Sequence, residues 1–462
     1  MYYIVHFWDS ILAFLGSWSW PMLLTTFWFF FFIEVPRYYL FDLVIIVYRK
    51  MRWKYYLKKY QKAKLEFYHA MPFISILVPG KNEGKHIFKL VNSLREQTYK
   101  NFELIIVDDG SDDFTPQICR DLEKNGFIDR YLRNEINGGK ASAANMGLHY
   151  AKGQYIVHLD ADSSLDRDAL EQILIPFYTD KQIKAVGATV KVRNQSHNLC
   201  TSLQALEYLE TIMIGRIVTA TLGIYRTISG AFGAFDTAML RQVGGWDIGP
   251  GLDGDITQKI RKSGGKIGFA PKAICLTNVP TKFRLLTNQR LRWSKSLVRF
   301  RIRKHIDVLL PTQNFSFSNF FSNIENIIFN FLFDIIWLFY LINLLIQNQA
   351  FIIEIFFIKF CIMLVVGTLS FALVMWVSER KREEFPLISM VPFMVFYTGL
   401  YLRLVRIYAY LLEFFFFSSF RDPWNPSKSS RAIKEETIDS QKNRRKRYFR
   451  NVRRWFKKHT KF

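Results

Sequence analysis

The run Tyr155-Ile156-Val157-His158-Leu159-Asp160-Ala161-Asp162 decides the reading of this chain. Its first five residues make a short apolar run of the kind that fills a buried strand, and two aspartates one residue apart close it. Alternate residues of a strand face the same side, so Asp160 and Asp162 aim both carboxylates at one spot wherever extended backbone carries that far. Two hard anionic ligands at the carboxyl end of a parallel strand suit Mg2+ or Mn2+, which bind through a pair of carboxylates plus substrate phosphates. A strand that merely runs out into a polar loop has the same letters. The neighbouring sequence has to separate the two readings.

Outward from this run, short apolar stretches alternate with amphipathic ones. Strands are predicted at residues 73–79, 103–107, 155–159 and 185–192, and helices at 86–97, 115–123, 142–151 and 166–177. Such alternation implies βαβ units and a parallel sheet covered on both faces, with ligands beyond the carboxyl ends of the strands. Asp108-Asp109-Gly110-Ser111 follows the second predicted strand, so acidic clusters fall at the same end of two strands. Gly138-Gly139-Lys140 precedes a helix, where free backbone N–H groups and a lysine suit an anion such as a diphosphate. The flanking pattern is not that of a P-loop. Gly251-Leu252-Asp253-Gly254-Asp255 opens another helical stretch and by itself reads as an N-cap. Gln289-Arg290-Leu291-Arg292-Trp293 lies on a basic helix and by itself reads as an interfacial helix with an aromatic anchor.

Hydrophobicity divides the 462 residues: 22–48 and 324–417 are dominated by Phe, Leu, Ile and Trp, whereas roughly 72–310 have ordinary globular composition. Apolar runs of about 20 residues are read as membrane spans. Four regions follow: an N-terminal membrane region with a basic juxtamembrane segment (1–64), a cytosolic globular domain with interfacial helices (65–310), a C-terminal transmembrane region (311–420) and a basic cytosolic tail (421–462). The N-terminus lacks a basic start and does not read as a cleaved signal. Glu34 and Arg37, three apart, are expected to pair on one helix face. Residues 386–417 are too long for one untilted span and short for two, which predicts an even number of crossings or a partly interfacial last segment. Arg403 and Arg406 within it suit either a polymer path or lipid headgroups.

A net charge of +24 raises nucleic acid as a partner, but its placement excludes that reading. Arg49, Lys50, Arg52, Lys54, Lys58, Lys59, Lys62 and Lys64 crowd the end of the first apolar region, and Arg444-Arg445-Lys446-Arg447 follows the last. Lys and Arg beside membrane spans mark the cytoplasmic side and attract anionic headgroups. Cys119, Cys200, Cys275 and Cys361 have neither metal-site nor disulfide spacing, as in a reduced cytosolic domain.

Taken in order, Asp108-Asp109-Gly110, Gly139-Lys140 with Asn145, Asp160-Ala161-Asp162, Ser229-Gly230-Ala231, Asp253 and Gln289-Arg290-Leu291-Arg292-Trp293 form a series. It resembles the membrane-embedded, processive glycosyltransferases of family 2, the poly-N-acetylglucosamine, cellulose and hyaluronan synthases, from about residue 73 to residue 293. The wording of the Gly-Lys, Ser-Gly-Ala and Gln-Arg-Leu-Arg-Trp segments is most similar to poly-N-acetylglucosamine synthases. The resemblance implies an α/β nucleotide-diphospho-sugar transferase (GT-A) domain with a mostly parallel sheet, flanked by N- and C-terminal transmembrane helices. It implies an inverting enzyme of the cell inner membrane, its catalytic domain cytosolic. That enzyme would polymerise a β-linked extracellular polysaccharide from a UDP-sugar and translocate it, with UDP-N-acetylglucosamine ahead of UDP-glucose as donor. Membrane lipids and the growing polysaccharide are the other implied partners, with room for a small membrane subunit.

The roles carried over are these. Asp108 and Asp109 hold the uridine, and Lys140 contacts the nucleotide portion of the donor. Asp160 and Asp162 hold the donor sugar and a Mg2+ or Mn2+ on its diphosphate. Asp253 is the general base, Gln289 and Arg292 contact the diphosphate, and Ser229, Gly230 and Trp293 form the acceptor side. The chemistry stands without the analogy: a sugar hydroxyl is a poor nucleophile and needs a carboxylate to take its proton, and the leaving diphosphate needs positive charge. One departure is Leu252, where the family usually has Glu before the base. It keeps a catalytically impaired donor-binding membrane partner in play. Transfer of a single sugar to a lipid is the other alternative, because dolichyl-phosphate-type enzymes share the early Asp motifs, although the Gln-x-x-Arg-Trp helix argues against it.

Overall fold

The computed structural model describes residues 18–247, 251–311 and 315–421, with isolated positions before Trp18. The basic tail from residue 422 onward, and most of the N-terminal region before Trp18, lie outside the described residues.

Strand β1 (Ile74–Gly80) is buried along almost its whole length, as a parallel strand covered on both faces must be. Its residues alternate between two cores: Ile74, Ile76 and Val78 face one, while Leu77 faces the other with Ile105, Val107 and Ile156. Strands β2 (Phe102–Asp109), β3 (Arg130–Asn134), β4 (Tyr155–Leu159), β5 (Ser164–Leu165), β6 (Ile183–Val192), β7 (Phe232–Asp236) and β8 (Lys266–Thr277) complete one sheet in the order β3-β2-β1-β4-β7-β6-β8-β5. The predicted α/β class and the four predicted strands are present. The parallel pairs are β1–β2, β1–β4, β2–β3 and β6–β8. Strand β7 runs antiparallel to both β4 and β6.

Register brings the chemistry to one edge. Gly80 pairs with Asp108, Asp109 with Asn134, and Leu159 with Phe232. Because β7 runs backwards, its entry segment Ser229-Gly230-Ala231 arrives at the carboxyl ends of β1, β2 and β4 rather than at the far side.

Three helices are long and apolar enough to cross a membrane: Phe317–Gln347, Ile352–Val377 and Lys381–Phe416. The span expected at 22–48 is not among them, since its helix carries Glu34, Arg37 and Asp42. That helix nevertheless packs Phe27 and Phe29 against Trp337, Tyr340 and Ile355. The expected Glu34–Arg37 pair is absent. Two π-helical turns, Phe30–Glu34 and Pro36–Leu40, alter the angular spacing between the two residues. Each finds a partner on another helix instead, Glu34 with Arg403 at 2.6 Å and Arg37 with Glu325 at 2.5 Å. Arg406 chelates Asp334 through two hydrogen bonds of 2.6 and 2.9 Å. Arg403 and Arg406 therefore serve helix–helix pairing, which neither earlier reading anticipated. In the last segment, Phe385–Met390 is a 3-10 stretch whose Leu387 joins the core of helix Leu199–Tyr208. Lys191 pairs with Glu384 at 2.5 Å beside it.

Candidate active site

Asp160 and Asp162 do not sit on extended backbone. Strand β4 stops at Leu159, and the next residues turn, with Ser163 N–H donating to Asp160 C=O at 3.1 Å. A turn, not strand alternation, brings the two carboxylates together. Their proximity is felt electrostatically: burial first, then the charge of Asp160, holds the Asp162 carboxyl above its ordinary range. The Lys140 ammonium pairs with Asp160. Burial opposes that ammonium, yet Asp160, Asp253 and Asp162 together push its pKa upward. Lys140 thus contacts Asp160 and feels the charge of two further carboxylates, one of them from a distant part of the chain.

Helix Lys140–Tyr150 begins at that lysine, as its position after a Gly pair predicts. Gly139 supplies the left-handed φ of +86° that turns the chain into the helix. The N–H groups of Gly138 and Gly139 are already taken, by Asp109 Oδ1 at 2.9 Å and Asn137 Oδ1 at 3.0 Å. The donors left to suit an anion, as expected where a Gly-Gly-Lys run precedes a helix, are Lys140 and the first helical turn rather than the glycines. Asn145 locks the same helix to Trp246 through two hydrogen bonds of 2.7 and 2.9 Å.

Asp253 is the second residue of helix Leu252–Lys262, whose N-cap is Gly251 at φ +87°. Neither aspartate of the run is the cap. Instead Asp253 Oδ2 accepts the Gly230 N–H at 2.8 Å. The approach is close: a Cβ on Gly230 would lie 2.6 Å from Asp253 Oδ1. Gly230 C=O contacts His158 Nδ1 at 2.8 Å, and Ala231 C=O accepts Asp160 N–H at 3.2 Å. The segment Ser229-Gly230-Ala231 thus ties Asp253 to Asp160. Burial raises the Asp253 carboxyl above its ordinary range, opposed by Lys140 and the Gly230 N–H. Asp255 is spent elsewhere: Lys304 holds Oδ2 and His305 contacts Oδ1, each at 2.7 Å.

Asp108 and Asp109 are buried and occupied. Asp108 accepts from Ser111 N–H at 2.8 Å, from Tyr131 at 2.9 Å and from Arg133 at 3.3 Å. Asp109 accepts from Asn134 and from Gly138, both at 2.9 Å. Together they fasten β2, β3 and the 137–139 turn into one rim.

Helix Phe283–Ser296 carries Gln289, Arg292 and Trp293 on one face, at i, i+3 and i+4. A Cβ on Gly251 would meet Ser296 Cβ at 2.5 Å, so this face lies against the start of the Asp253 helix. Gln289 Oε1 is buried without a hydrogen-bond partner among the described residues, and Trp293 is 42% exposed.

Glu83, which the sequence reading passed over, belongs to the site. Burial and then the charges of Asp162 and Asp160 raise its carboxyl to about 7. It follows the carboxyl end of β1 in Lys81-Asn82-Glu83, and the strand-end rule that singled out Asp108 and Asp160 applies to it equally. Beneath the site, burial and the nearby Lys140 lower buried His158 to about 4, so it is neutral.

Among the described residues no group of three or more His, Cys, Asp or Glu is placed to hold a metal ion. Asp160 and Asp162 supply two hard oxygen donors, the set that suits Mg2+ or Mn2+ when phosphate oxygens supply the rest.

Residues 75–242 match the family described as Glycosyl transferase family 2. The chain carries a glycosyltransferase family 2 domain. The chain is 32% identical over 223 residues to a poly-beta-1,6-N-acetyl-D-glucosamine synthase of Staphylococcus epidermidis, covering 48% of this chain and 54% of that protein. A poly-beta-1,6-N-acetyl-D-glucosamine synthase of Staphylococcus aureus is 31% identical over 224 residues, with the same coverage of 48% and 54%. The chain spans about half the length of these curated relatives. Among solved structures, a mannosyltransferase from Pyrobaculum calidifontis in complex with GDP-Man and Mn2+ superposes with a TM-score of 0.49 at 18% identity, covering 81% of this chain and 99% of that one.

Proposed function

We propose that this protein is a processive, inverting glycosyltransferase that extends a β-linked polysaccharide from a UDP-sugar and passes it through its own apolar helices. The observation that carries the reading is the Lys140–Asp160 pair together with the Ser229-Gly230-Ala231 segment that joins Asp253 to Asp160. UDP-N-acetylglucosamine is the favoured donor because the family 2 domain is similar to synthases of poly-beta-1,6-N-acetyl-D-glucosamine. The membrane would be the inner membrane, with the family 2 domain on its cytosolic face, next to the basic segment 49–64.

In this reading the rim ordered by Asp108 and Asp109 receives the uridine. Lys140 and Arg292 offset the charge that develops on the leaving diphosphate, and the Gln289 side-chain amide N–H donates to it. Asp160 and Asp162 would hold a divalent ion on the diphosphate, which would add Lewis-acid stabilisation of the leaving group. Asp253 accepts the proton of the acceptor hydroxyl as that oxygen bonds to the anomeric carbon and UDP departs. Since no protein nucleophile takes part, configuration inverts. Asp255 is a poor substitute, because Lys304 and His305 occupy both its oxygens. The exposed face of Trp293 stacks under the acceptor sugar.

The test is UDP release by the purified protein against a panel of UDP-sugars, with and without Mg2+ or Mn2+, followed by product digestion with linkage-specific hydrolases. Metal-dependent release with UDP-N-acetylglucosamine and a long product is expected. A single-sugar glycolipid as the sole product would replace polymerisation by transfer to lipid. UDP binding without release would leave only a donor-binding partner.

A further inference from the structure

Within the Gln289–Trp293 run, Arg290 turns inward. It is buried, and its Nη2 donates to Glu207 Oε2 at 2.8 Å. The Tyr397 hydroxyl donates to that same oxygen at 2.7 Å. Glu207 and Tyr397 are buried as well, so the guanidinium has a fixed counter-charge and little room to leave it. Its carbon lies 4.5 Å from the centroid of the Trp293 ring. A half-exposed indole would otherwise sample several rotamers; here a cation that is itself immobilised sits over the ring.

Tyr397 belongs to the last long apolar helix, and it does not stand alone there. Tyr401, one turn on, stacks on Tyr397 at 5.8 Å, and its hydroxyl contacts Thr287 Oγ1 at 2.8 Å. The last apolar helix therefore grips the Trp293 helix at two levels, Thr287 and Arg290.

We propose that Glu207, Arg290 and Tyr397 are positioning residues for the acceptor sugar: they fix the Trp293 ring and couple its placement to the last apolar helix. This inference rests on the reading of Trp293 as the acceptor platform. None of the three touches a reacting atom. Tyr397→Phe removes one hydrogen bond from Glu207 and keeps the ring. Arg290→Lys keeps the charge but loses the flat guanidinium that covers the indole.

The experiment uses the full chain in lipid nanodiscs. UDP release is measured with UDP-N-acetylglucosamine and a short N-acetylglucosamine oligosaccharide, each varied in turn, and product length is recorded. Tyr397→Phe and Arg290→Lys are expected to raise the KM for the oligosaccharide, by roughly tenfold for Arg290→Lys, and to shorten the product. The donor KM is expected to stay within about twofold of wild type, since ground-state donor contacts are untouched. If Arg290→Lys does not fold, the isosteric Tyr397→Phe decides alone, with UDP binding as the check of integrity. Donor and oligosaccharide KM values that rise together, or an oligosaccharide KM that stays at the wild-type value in both variants, would overturn the inference. Trp293→Ala separates the two levels: an acceptor defect there without one in Tyr397→Phe or Arg290→Lys defeats only the positioning role, whereas a normal acceptor KM in Trp293→Ala defeats the platform reading itself.

Discussion

Gly230 shows how tightly the site is specified at the residue scale. Any side chain there meets Asp253, whose Oδ1 lies 2.6 Å from the position of the missing Cβ. Gly230→Ala is expected to displace the carboxylate and lower kcat for UDP release by about a hundredfold, the loss typical of one misplaced catalytic group, with UDP affinity unchanged in a binding isotherm. The carboxyl of Asp253 sits above its ordinary range because it is buried, and Lys140 opposes the rise. As the proposed base, Asp253 must be ionised to accept a proton, so kcat/KM is expected to fall on the acid side, below that raised pKa. Lys140→Gln removes the opposing cation and is expected to move the acid limb of the kcat/KM profile to higher pH, quite apart from lowering its plateau. A limb that stays in place, or shifts down, would disconnect Lys140 from the base. Asp160, Asp162 and Asp253 were legible as letters because acidic residues at strand and helix ends stand out. Glu83 was not, since one Glu in Lys81-Asn82-Glu83-Gly84-Lys85 looks like an ordinary solvated turn until burial is known.

At the scale of elements, the sequence pattern located the strands built from runs of Ile, Leu and Val and missed the rest. Strand β7, Phe232-Gly233-Ala234-Phe235-Asp236, is short, Gly- and Ala-rich and flanked by a Gly-Ala pair, so neither alternation nor branched side chains announce it. Yet β7 is what delivers Ser229-Gly230-Ala231 to the site by running antiparallel. The turn at Asp160-Ala161-Asp162 was likewise hidden, because sequence spacing alone cannot say where extended backbone ends. Gly251 carries the placement of two elements at once: its φ of +87° starts the Asp253 helix, and its bare Cα accepts Ser296 of the Trp293 helix. Gly251→Ala combines left-handed strain of about 1–2 kcal/mol with that steric clash. A lower thermal midpoint and a reduced turnover should appear together in this variant, whereas loss of stability alone would show that the helix contact does not set the site.

Across the whole molecule, the apolar helices are joined by ion pairs as well as by rings. The Arg406–Asp334 pair buries its carboxylate almost completely, with side-chain exposures of 24% and 2%. Breaking such a pair from one side leaves an uncompensated charge, at a cost of about 3–5 kcal/mol. Arg406→Met and Asp334→Leu are each expected to lower the unfolding midpoint in detergent sharply, and the double variant to recover much of the loss; strictly additive losses would mean the two do not interact. Composition made the segregation into a globular domain and apolar helices readable. It did not reveal that Glu34, Arg37, Arg403 and Arg406 pair between helices, because pairing depends on packing partners about 290 to 370 residues apart in Glu34–Arg403 and Arg37–Glu325, beyond the reach of any local spacing rule.

The proposed convergence of carboxylates on a nucleotide-binding cation site is tested most directly by Asp253→Asn, assayed on the same preparation for UDP binding and for sugar-dependent UDP release. Retained UDP affinity with turnover reduced by at least about a thousandfold is the expected result. Polymer made at the wild-type rate by Asp253→Asn would remove the base from this site and, with it, the catalytic meaning of the arrangement around Lys140.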